Sequence, residues 1–124
     1  STFQHPFYPD TPFEENGTRI INVPLKAGST GGDFKEAVLD HWLPALNNFK
    51  PELVIVSAGF DAHLEDDMAG LRFVERDYAW VTVRLLEVAE THAAGRLVSV
   101  LEGGYVFGAL GRSAEAHVRA LMHL

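Results

Sequence analysis

The sequence contains no cysteine among its 124 residues. A disulfide framework and a cysteine-ligated metal centre are therefore both excluded. Positive charge is also scarce, since the chain has 10 Lys and Arg residues but 17 Asp and Glu residues, and its net charge is −7. A protein that binds the phosphate backbone of nucleic acids needs a basic face, so we expect no direct contact with nucleic acid.

Long apolar runs are absent as well, and no signal peptide is visible at the start of the sequence. We therefore expect no membrane contact and a cytoplasmic location. Hydrophobic residues make up 47% and charged residues 22% of the chain, which is ordinary for a globular protein of one domain. The first residue is Ser rather than Met, which predicts a fragment of a longer chain or a processed form.

Short apolar, β-branched runs alternate with helical patterns along the chain. Three prolines predict a loop over residues 1–18. The predicted strands cover residues 19–25, 53–57 and 96–101, and the predicted helices cover residues 33–49, 75–93 and 109–124. This alternation predicts an α/β fold with three layers, α/β/α, around a parallel sheet with right-handed crossovers.

Local signals predict where the helices begin, bend and end. Asp33 is the predicted N-cap of the first helix, because Glu36 stands at the capping-box position three residues later. Pro44 lies inside that helix and predicts a kink, or a break and restart. Gly95 is expected to end the second helix.

Two of the predicted strands end in glycine and then deliver a reactive side chain. The strand at 53–57 leads through Gly59 to Asp61, and the strand at 96–101 leads through Gly103 and Gly104 to Tyr105. The carboxyl ends of parallel strands share one edge, where ligand crevices form. A carboxylate can bind Zn²⁺ and a phenol can donate a hydrogen bond to a developing oxyanion. The pattern indicates metal-assisted attack on a carbonyl group.

Other interpretations of these residues stay open at this point. A glycine after a strand is also an ordinary strand-to-helix turn. Asp61 could instead be a nucleophile that accepts a phosphoryl group, although no Lys stands where a phosphate partner would be expected. The acidic run 65–67 is interpreted as a solvated loop rather than a cation site. Five scattered histidines are interpreted as surface or helix-end residues: His5, His41, His92, His117 and His123.

The segments 49–63 and 95–105 resemble the signature of the histone deacetylase superfamily. The resemblance is greatest to its class II-like and bacterial branch, which includes acetoin-utilisation proteins and acetylpolyamine amidohydrolases. Residues 7–9 and 22–25 also match in order, so the resemblance covers essentially the whole chain. It implies an arginase/deacetylase-like fold, with residues 1–124 as the C-terminal portion of a single catalytic domain.

The resemblance also implies roles for individual residues. The family removes acetyl groups from amines such as acetyl-lysine or acetylpolyamines, with a zinc ion held by two Asp and one His. Asp61 would be the second Asp ligand, and Tyr105 would polarise the acyl carbonyl and stabilise the oxyanion. Tyr8 would form an aromatic wall of the substrate tunnel, beside the backbone of Gly103 and Gly104.

A structural potassium ion is a further implication, since Ser1 and Thr2 stand where family members offer backbone groups to K⁺. The departures from the family pattern concern the general base and the other zinc ligands. The adjacent His-His pair and the Asp-x-His motif that precede these segments in the family do not occur before them here. Residues 61–63 have the Asp-x-His form, but only the Asp is a ligand in the family, so His63 is expected to face the loop or solvent.

One carboxylate cannot hold a catalytic zinc ion, which needs about three protein ligands. We therefore expect this chain to be inactive by itself and to act with a complementing N-terminal half or as a homo-oligomer. The alternative is a truncated, non-catalytic α/β module that self-associates or binds a partner, because an incomplete sheet leaves an open edge and exposed apolar surface.

Overall fold

Parallel strands and helices alternate along the chain in the structure, a computed structural model that describes residues 1–8 and 19–124. The strands are β1 (Thr2–Gln4), β2 (Val23–Leu25), β3 (Val54–Ala58) and β4 (Leu97–Leu101). The α-helices are α1 (Gly31–Ala37), α2 (Leu43–Phe49), α3 (Glu75–His92) and α4 (Phe107–Leu121). Strand β1 pairs in parallel with β2, and β3 pairs in parallel with β4, with Val54 opposite Leu97. The predicted parallel arrangement of the strands is therefore present.

The N-terminal region differs from the prediction in two places. Residues 2–4, predicted as loop, form β1, because the backbone of Ser1 and His5 hydrogen-bonds to Val23 and Leu25 in a parallel register. The strand predicted over 19–25 is confined to β2. The predicted loop over residues 9–18 lies outside the described residues.

Helix α1 begins earlier than predicted. Its N-cap is Thr30, whose hydroxyl accepts a hydrogen bond from the Gly32 N–H at 3.3 Å. Asp33 is the third helical residue, and its carboxylate accepts a hydrogen bond from the Thr30 N–H at 2.7 Å. This bond from the Thr30 backbone holds the pKa of Asp33 below its ordinary value. The prediction of Asp33 as N-cap was wrong because Gly31 and Gly32 are helical rather than part of the preceding loop.

Pro44 interrupts the first helical segment, as predicted. A wider π-helical turn, Val38–Trp42, separates α1 from α2, and the Leu43 N–H bonds back to Val38 O. Proline has no N–H, and its ring clashes with the carbonyl group four residues earlier in a regular α-helix. The π-helical turn is a known way to accommodate such a local mismatch without ending the helical path.

The helices form one layer against one face of the β3–β4 pair. Helix α3 contacts α1, α2 and α4. The side chains of Val54 and Val56 belong to a cluster with residues of α2 and α3. On the opposite face, Ile55, Val98 and Val100 are 67%, 50% and 49% exposed. Among the described residues, the second helical layer of the predicted three-layer arrangement is therefore not present.

Helices α1 and α3 meet at a buried carboxylate. Asp77, in the first turn of α3, accepts a hydrogen bond from the N–H of the N-cap residue Val74 at 3.0 Å. Lys35 of α1 places its ammonium group 3.7 Å from the same carboxylate. Gly31 packs so closely that a Cβ at this position would lie 2.1 Å from Asp77 Oδ1. The close approach of the two helices therefore requires glycine at position 31.

Helix α3 ends before Gly95, which was predicted to end it, because its C-cap is Ala93, two residues earlier, and Ala94 already has a positive φ of +50°. Gly95 has φ +75° and donates its N–H to Ala89 O at 3.0 Å, a carbonyl group that also accepts from the Ala93 N–H. A positive φ costs glycine little, so this residue can redirect the chain into β4. No helix among residues 1–8 and 19–124 is both long enough and apolar enough to cross a membrane.

Candidate active site

Asp61 lies just beyond the carboxyl end of β3, with its carboxylate against glycine backbone. A Cβ on Gly103 would lie 2.5 Å from Asp61 Oδ2, and a Cβ on Gly59 would lie 3.1 Å from Oδ1. Real Cβ atoms do not approach other heavy atoms to 2.5 Å, so only glycine at 103 leaves room for this carboxylate. The glycines that follow the two strands thus bring Asp61 into direct contact with the loop after β4.

The loop after β4 is attached to the loop after β3 by backbone hydrogen bonds. Glu102 N–H donates to Ala58 O at 3.0 Å, and Phe60 N–H donates to Gly103 O at 2.8 Å. Gly104 has φ +135°, and a Cβ there would lie 2.9 Å from Leu110 Cδ1. The backbone conformation therefore demands glycine immediately before Tyr105, and the packing leaves little room for a side chain there.

Asp61 and Tyr105 line the same cavity, whose volume is about 1420 Å³. Tyr8 and Gly103 also line it, whereas Gly104 does not. The Tyr105 side chain is 58% exposed and that of Tyr8 is 84% exposed, so both rings are accessible from solvent. The structure thus brings the predicted carboxylate and phenol to one cavity, while their chemical roles stay predictions.

The described residues do not by themselves fit a zinc ion. No group of three or more His, Asp or Glu side chains within residues 1–8 and 19–124 is arranged to hold a metal. Tetrahedral zinc needs about three protein ligands, and Asp61 offers one carboxylate. The predicted potassium site also stays a prediction; the Ser1 carbonyl accepts a hydrogen bond from Val23 N–H within the sheet.

The prediction that His63 faces the loop or solvent is confirmed for the loop and wrong for solvent. Its side chain is 1% exposed and its Nδ1 accepts a hydrogen bond from the Glu65 N–H at 3.1 Å. Nε2 lies 3.5 Å from a carboxylate oxygen of Glu75. The hydrogen bond from Arg112 to Glu75 holds the pKa of Glu75 below its ordinary value, so this carboxylate remains charged beside the ring. His63 is therefore buried in the loop that follows Asp61, beside Glu75 in the first turn of α3, and its Nε2 makes no hydrogen bond to the described residues.

The prediction that His117 lies at the surface was also wrong. His117 of α4 is buried, with Nε2 2.8 Å from Ser99 Oγ and Nδ1 2.6 Å from Thr82 Oγ1. Thr82 donates its hydroxyl proton to Tyr78 O, so His117 Nδ1 must donate to Thr82 and Nε2 must accept from Ser99. Burial lowers the pKa of His117 below its ordinary value. The ring is thus a neutral link between α3, α4 and β4.

A pH dependence of stability follows from the buried His117. The unfolded chain has an ordinary His pKa of about 6.5, so below that pH it binds more protons than the folded chain. The stabilisation from neutral His117 is therefore complete above this pH and is lost as the pH falls toward the lowered folded-state pKa. We expect the urea unfolding free energy to fall less between pH 7.5 and pH 5.5 in His117→Gln than in the unmutated chain.

His41→Gln is the matched control, because His41 is exposed on the π-helical turn. This variant should keep the pH dependence of the unmutated chain. If the unfolding free energies of His117→Gln and His41→Gln depend on pH in the same way, the conclusion that His117 is buried in its neutral form is wrong.

Comparisons with known proteins agree with this geometry. A protein-family profile described as "Histone deacetylase domain" matches residues 1–121. A probable deacetylase of Archaeoglobus fulgidus is 44% identical over 118 residues, which are 89% of this chain and 33% of that protein. Type-2 histone deacetylase 1 of Dictyostelium discoideum is 43% identical over 102 residues, which are 82% of this chain and 7% of that protein.

A solved structure gives the same result for the fold. The crystal structure of the HDA15 HD domain superposes with a TM-score of 0.85 at 29% identity, covering 98% of this chain and 36% of that one. The α/β fold is therefore that of histone deacetylase domains, of which the chain is a partial domain. The chain spans about a third of the archaeal relative and of this solved domain, and a much smaller share of the Dictyostelium protein.

Proposed function

Because the chain belongs to the histone deacetylase domain family, we propose that it is the C-terminal part of a zinc-dependent deacetylase domain that hydrolyses an acetyl-amide of the acetyl-lysine or acetylpolyamine type. One observation carries the proposal. The carboxylate of Asp61 and the phenol of Tyr105 follow adjacent parallel strands and line the same cavity.

Tyr105 acts on the acyl group in this proposal. Its phenol is accessible from the cavity, and it donates a hydrogen bond to the carbonyl oxygen as negative charge develops there. Tyr8 lines the same cavity and contributes an aromatic wall for the alkyl part of the substrate. Gly103 also lines the cavity and adds no side chain there that could obstruct the substrate.

Asp61 supplies one carboxylate to the zinc site, and the remaining ligands and the general base come from the rest of the domain. The cavity supports this sharing of the site between the chain and the rest of the domain. Every residue of β1 and β3 lines the cavity, and among the described residues each of these strands is paired on one side only. The missing part of the domain can add a strand between them through the unpaired backbone groups. The isolated chain is therefore expected to have no measurable turnover.

A chimera tests the proposal directly. The 118-residue region of the Archaeoglobus fulgidus protein that aligns with this chain is replaced by this chain, and hydrolysis of an acetyl-lysine peptide is measured with added Zn²⁺. The chimera should hydrolyse the peptide, whereas the isolated chain and an Asp61→Ala chimera should not. Turnover by the isolated chain, or a folded chimera without turnover when its archaeal parent is active, would contradict the proposal.

A second candidate is a non-catalytic α/β module that self-associates or binds a partner. The exposed apolar face of β3 and β4, with Ile55, Val98 and Val100, favours it, because contiguous apolar surface marks interaction sites. The chimera separates the two candidates. Two results together would favour the non-catalytic module: a chimera that folds but has no turnover, and an isolated chain that sediments as a stable dimer.

A further inference from the structure

Asp66 is a buried carboxylate in the loop between β3 and α3, where the sequence predicted a solvated acidic run. Its Oδ2 accepts a hydrogen bond from the Tyr105 N–H at 2.7 Å and a longer one from the Val106 N–H at 3.4 Å. Its Oδ1 accepts a hydrogen bond from the Met68 N–H at 3.0 Å. The neighbouring Asp67 is exposed. The acidic run thus contains one carboxylate with a defined set of partners.

The bond to Tyr105 joins two loops that are 39 residues apart in sequence. It holds the loop after β4 on one side of Gly104, while the Phe60 N–H holds Gly103 O on the other side. Gly104 is the only residue between these two hydrogen-bonded points. Its φ of +135° is a backbone conformation that glycine adopts readily and other residues rarely do. The direction in which the Tyr105 side chain leaves the backbone is therefore set by its two neighbouring attachments.

The carboxylate has a second favourable environment at the same place. Val106 is the N-cap of α4 and offers no side-chain acceptor to the first turn of that helix. A negative charge at a helix N-terminus is stabilised by the partial positive charge of the free N–H groups there. Asp66 accepts from Tyr105 and Val106, the two residues just before the first helical residue, and so ties the start of α4 to the loop that follows Asp61.

We propose that Asp66 is a positioning residue for Tyr105, which keeps the phenol directed into the cavity beside Asp61. Asp66 itself touches neither the substrate nor the metal, and its effect on catalysis rests on the proposed function. Its structural effect, the fixed backbone of Tyr105, is independent of any activity.

Asp66→Asn is the informative variant, because it keeps the shape of the side chain. The aspartate uses one oxygen toward Met68 and the other toward Tyr105 and Val106. Asparagine has a single acceptor oxygen, so its NH₂ group must face a backbone N–H on one side or the other. One set of bonds is therefore lost, together with the charge that strengthens both.

The backbone effect can be measured by NMR in the isolated 124-residue chain. In the unmutated chain, we expect a through-hydrogen-bond coupling between the Tyr105 amide nitrogen and the Asp66 carboxylate carbon. Asp66→Asn should shift the Tyr105 amide proton upfield and raise its hydrogen-exchange rate at least about tenfold. Asp67→Asn should leave both unchanged. If the unmutated chain folds without this coupling, or if Asp66→Asn and Asp66→Ala both leave Tyr105 unaffected, the proposal is overturned. The coupling is measured in the unmutated chain and so does not depend on the folding of a variant.

The catalytic effect is measured as a double-mutant cycle in the archaeal chimera. Asp66→Asn should lower kcat about 10- to 100-fold with little change in KM, since small misplacements of a catalytic group have effects of this size. In a Tyr105→Phe background it should have little further effect, because the group that it positions is gone. An equal loss in both backgrounds would show a merely structural role and would overturn the proposal while the proposed function stands. A folded but inactive chimera of an active archaeal parent would contradict the proposed function, and the NMR measurements would still decide the position of Tyr105.

Discussion

Tyr105→Phe is expected to lower kcat of the archaeal chimera about 10²- to 10³-fold, which is the effect of removing one hydrogen-bond donor from an oxyanion site. The variant removes only the phenolic hydroxyl group and keeps the ring. Tyr105 is 58% exposed, and its backbone is held by Asp66 and by the neighbouring glycines. Loss of the hydroxyl group should therefore not disturb folding. KM should change little, because the hydrogen bond strengthens as charge develops on the oxygen.

Steady-state kinetics with an acetyl-lysine peptide measure this effect, and Asp67→Asn is the control for a substitution at an exposed position near the site. Circular dichroism should show the same thermal unfolding for the unmutated, Tyr105→Phe and Asp67→Asn chimeras. A Tyr105→Phe chimera with nearly full kcat would show that the phenol does not stabilise the oxyanion. A rise in KM alone would show that the phenol only helps to bind the substrate.

Much of the scaffold could be predicted because its signals are local. The β-branched runs at β3 and β4, and the apolar periodicity of α3, each lie within one segment and need no partner to be recognised. The glycines before Asp61 and Tyr105 are local signals too, since they mark where the backbone must turn. Their meeting at one cavity follows from the parallel pairing of the strands.

The buried polar residues could not be recognised in the same way. Asp66 is buried because backbone N–H groups from the loop after β4 surround its carboxylate, and the run 65–67 carries no sign of that. For His117 a signal did exist. The buried residues of α4 recur at helical spacing, and His117 is one of them: Ala109, Ser113, His117 and Ala120. A histidine on the buried stripe of a helix is better interpreted as a core residue than as a surface residue.

The uncovered sheet face has a different origin. The side chains of Ile55, Val98 and Val100 are apolar and β-branched, as expected for a strand that is buried on both faces of a parallel sheet. The sequence of these strands therefore predicts a second layer that the described residues do not supply. Since the chain spans about a third of its archaeal relative, we propose that the covering elements come from the rest of a deacetylase domain, as does the strand proposed between β1 and β3.

Gly31→Ala is expected to lower the free energy of unfolding of the chain by about 2–4 kcal/mol, because overpacking a buried contact costs about 1–3 kcal/mol and a displaced buried carboxylate costs more. The new Cβ would lie 2.1 Å from Asp77 Oδ1 and 2.2 Å from Cγ. Asp77 is 3% exposed and bonds to the Val74 N–H, so it cannot move into solvent without losing that bond. Either the carboxylate rotates away or α1 separates from α3.

Gly32→Ala is the matched control on the same helix. The nearest atom to its new Cβ would be Thr30 Oγ1 at 3.4 Å, which is ordinary contact. Replacing a helical glycine by alanine stabilises by about 0.5–1 kcal/mol, so the two neighbouring substitutions should have opposite signs. Urea unfolding at neutral pH measures both. A double variant, Gly31→Ala with Asp77→Ala, should be less destabilised than the sum of its parts, because the second substitution removes the atoms that the first one meets. Additive effects, or equal effects of Gly31→Ala and Gly32→Ala, would contradict the packing of α1 against α3.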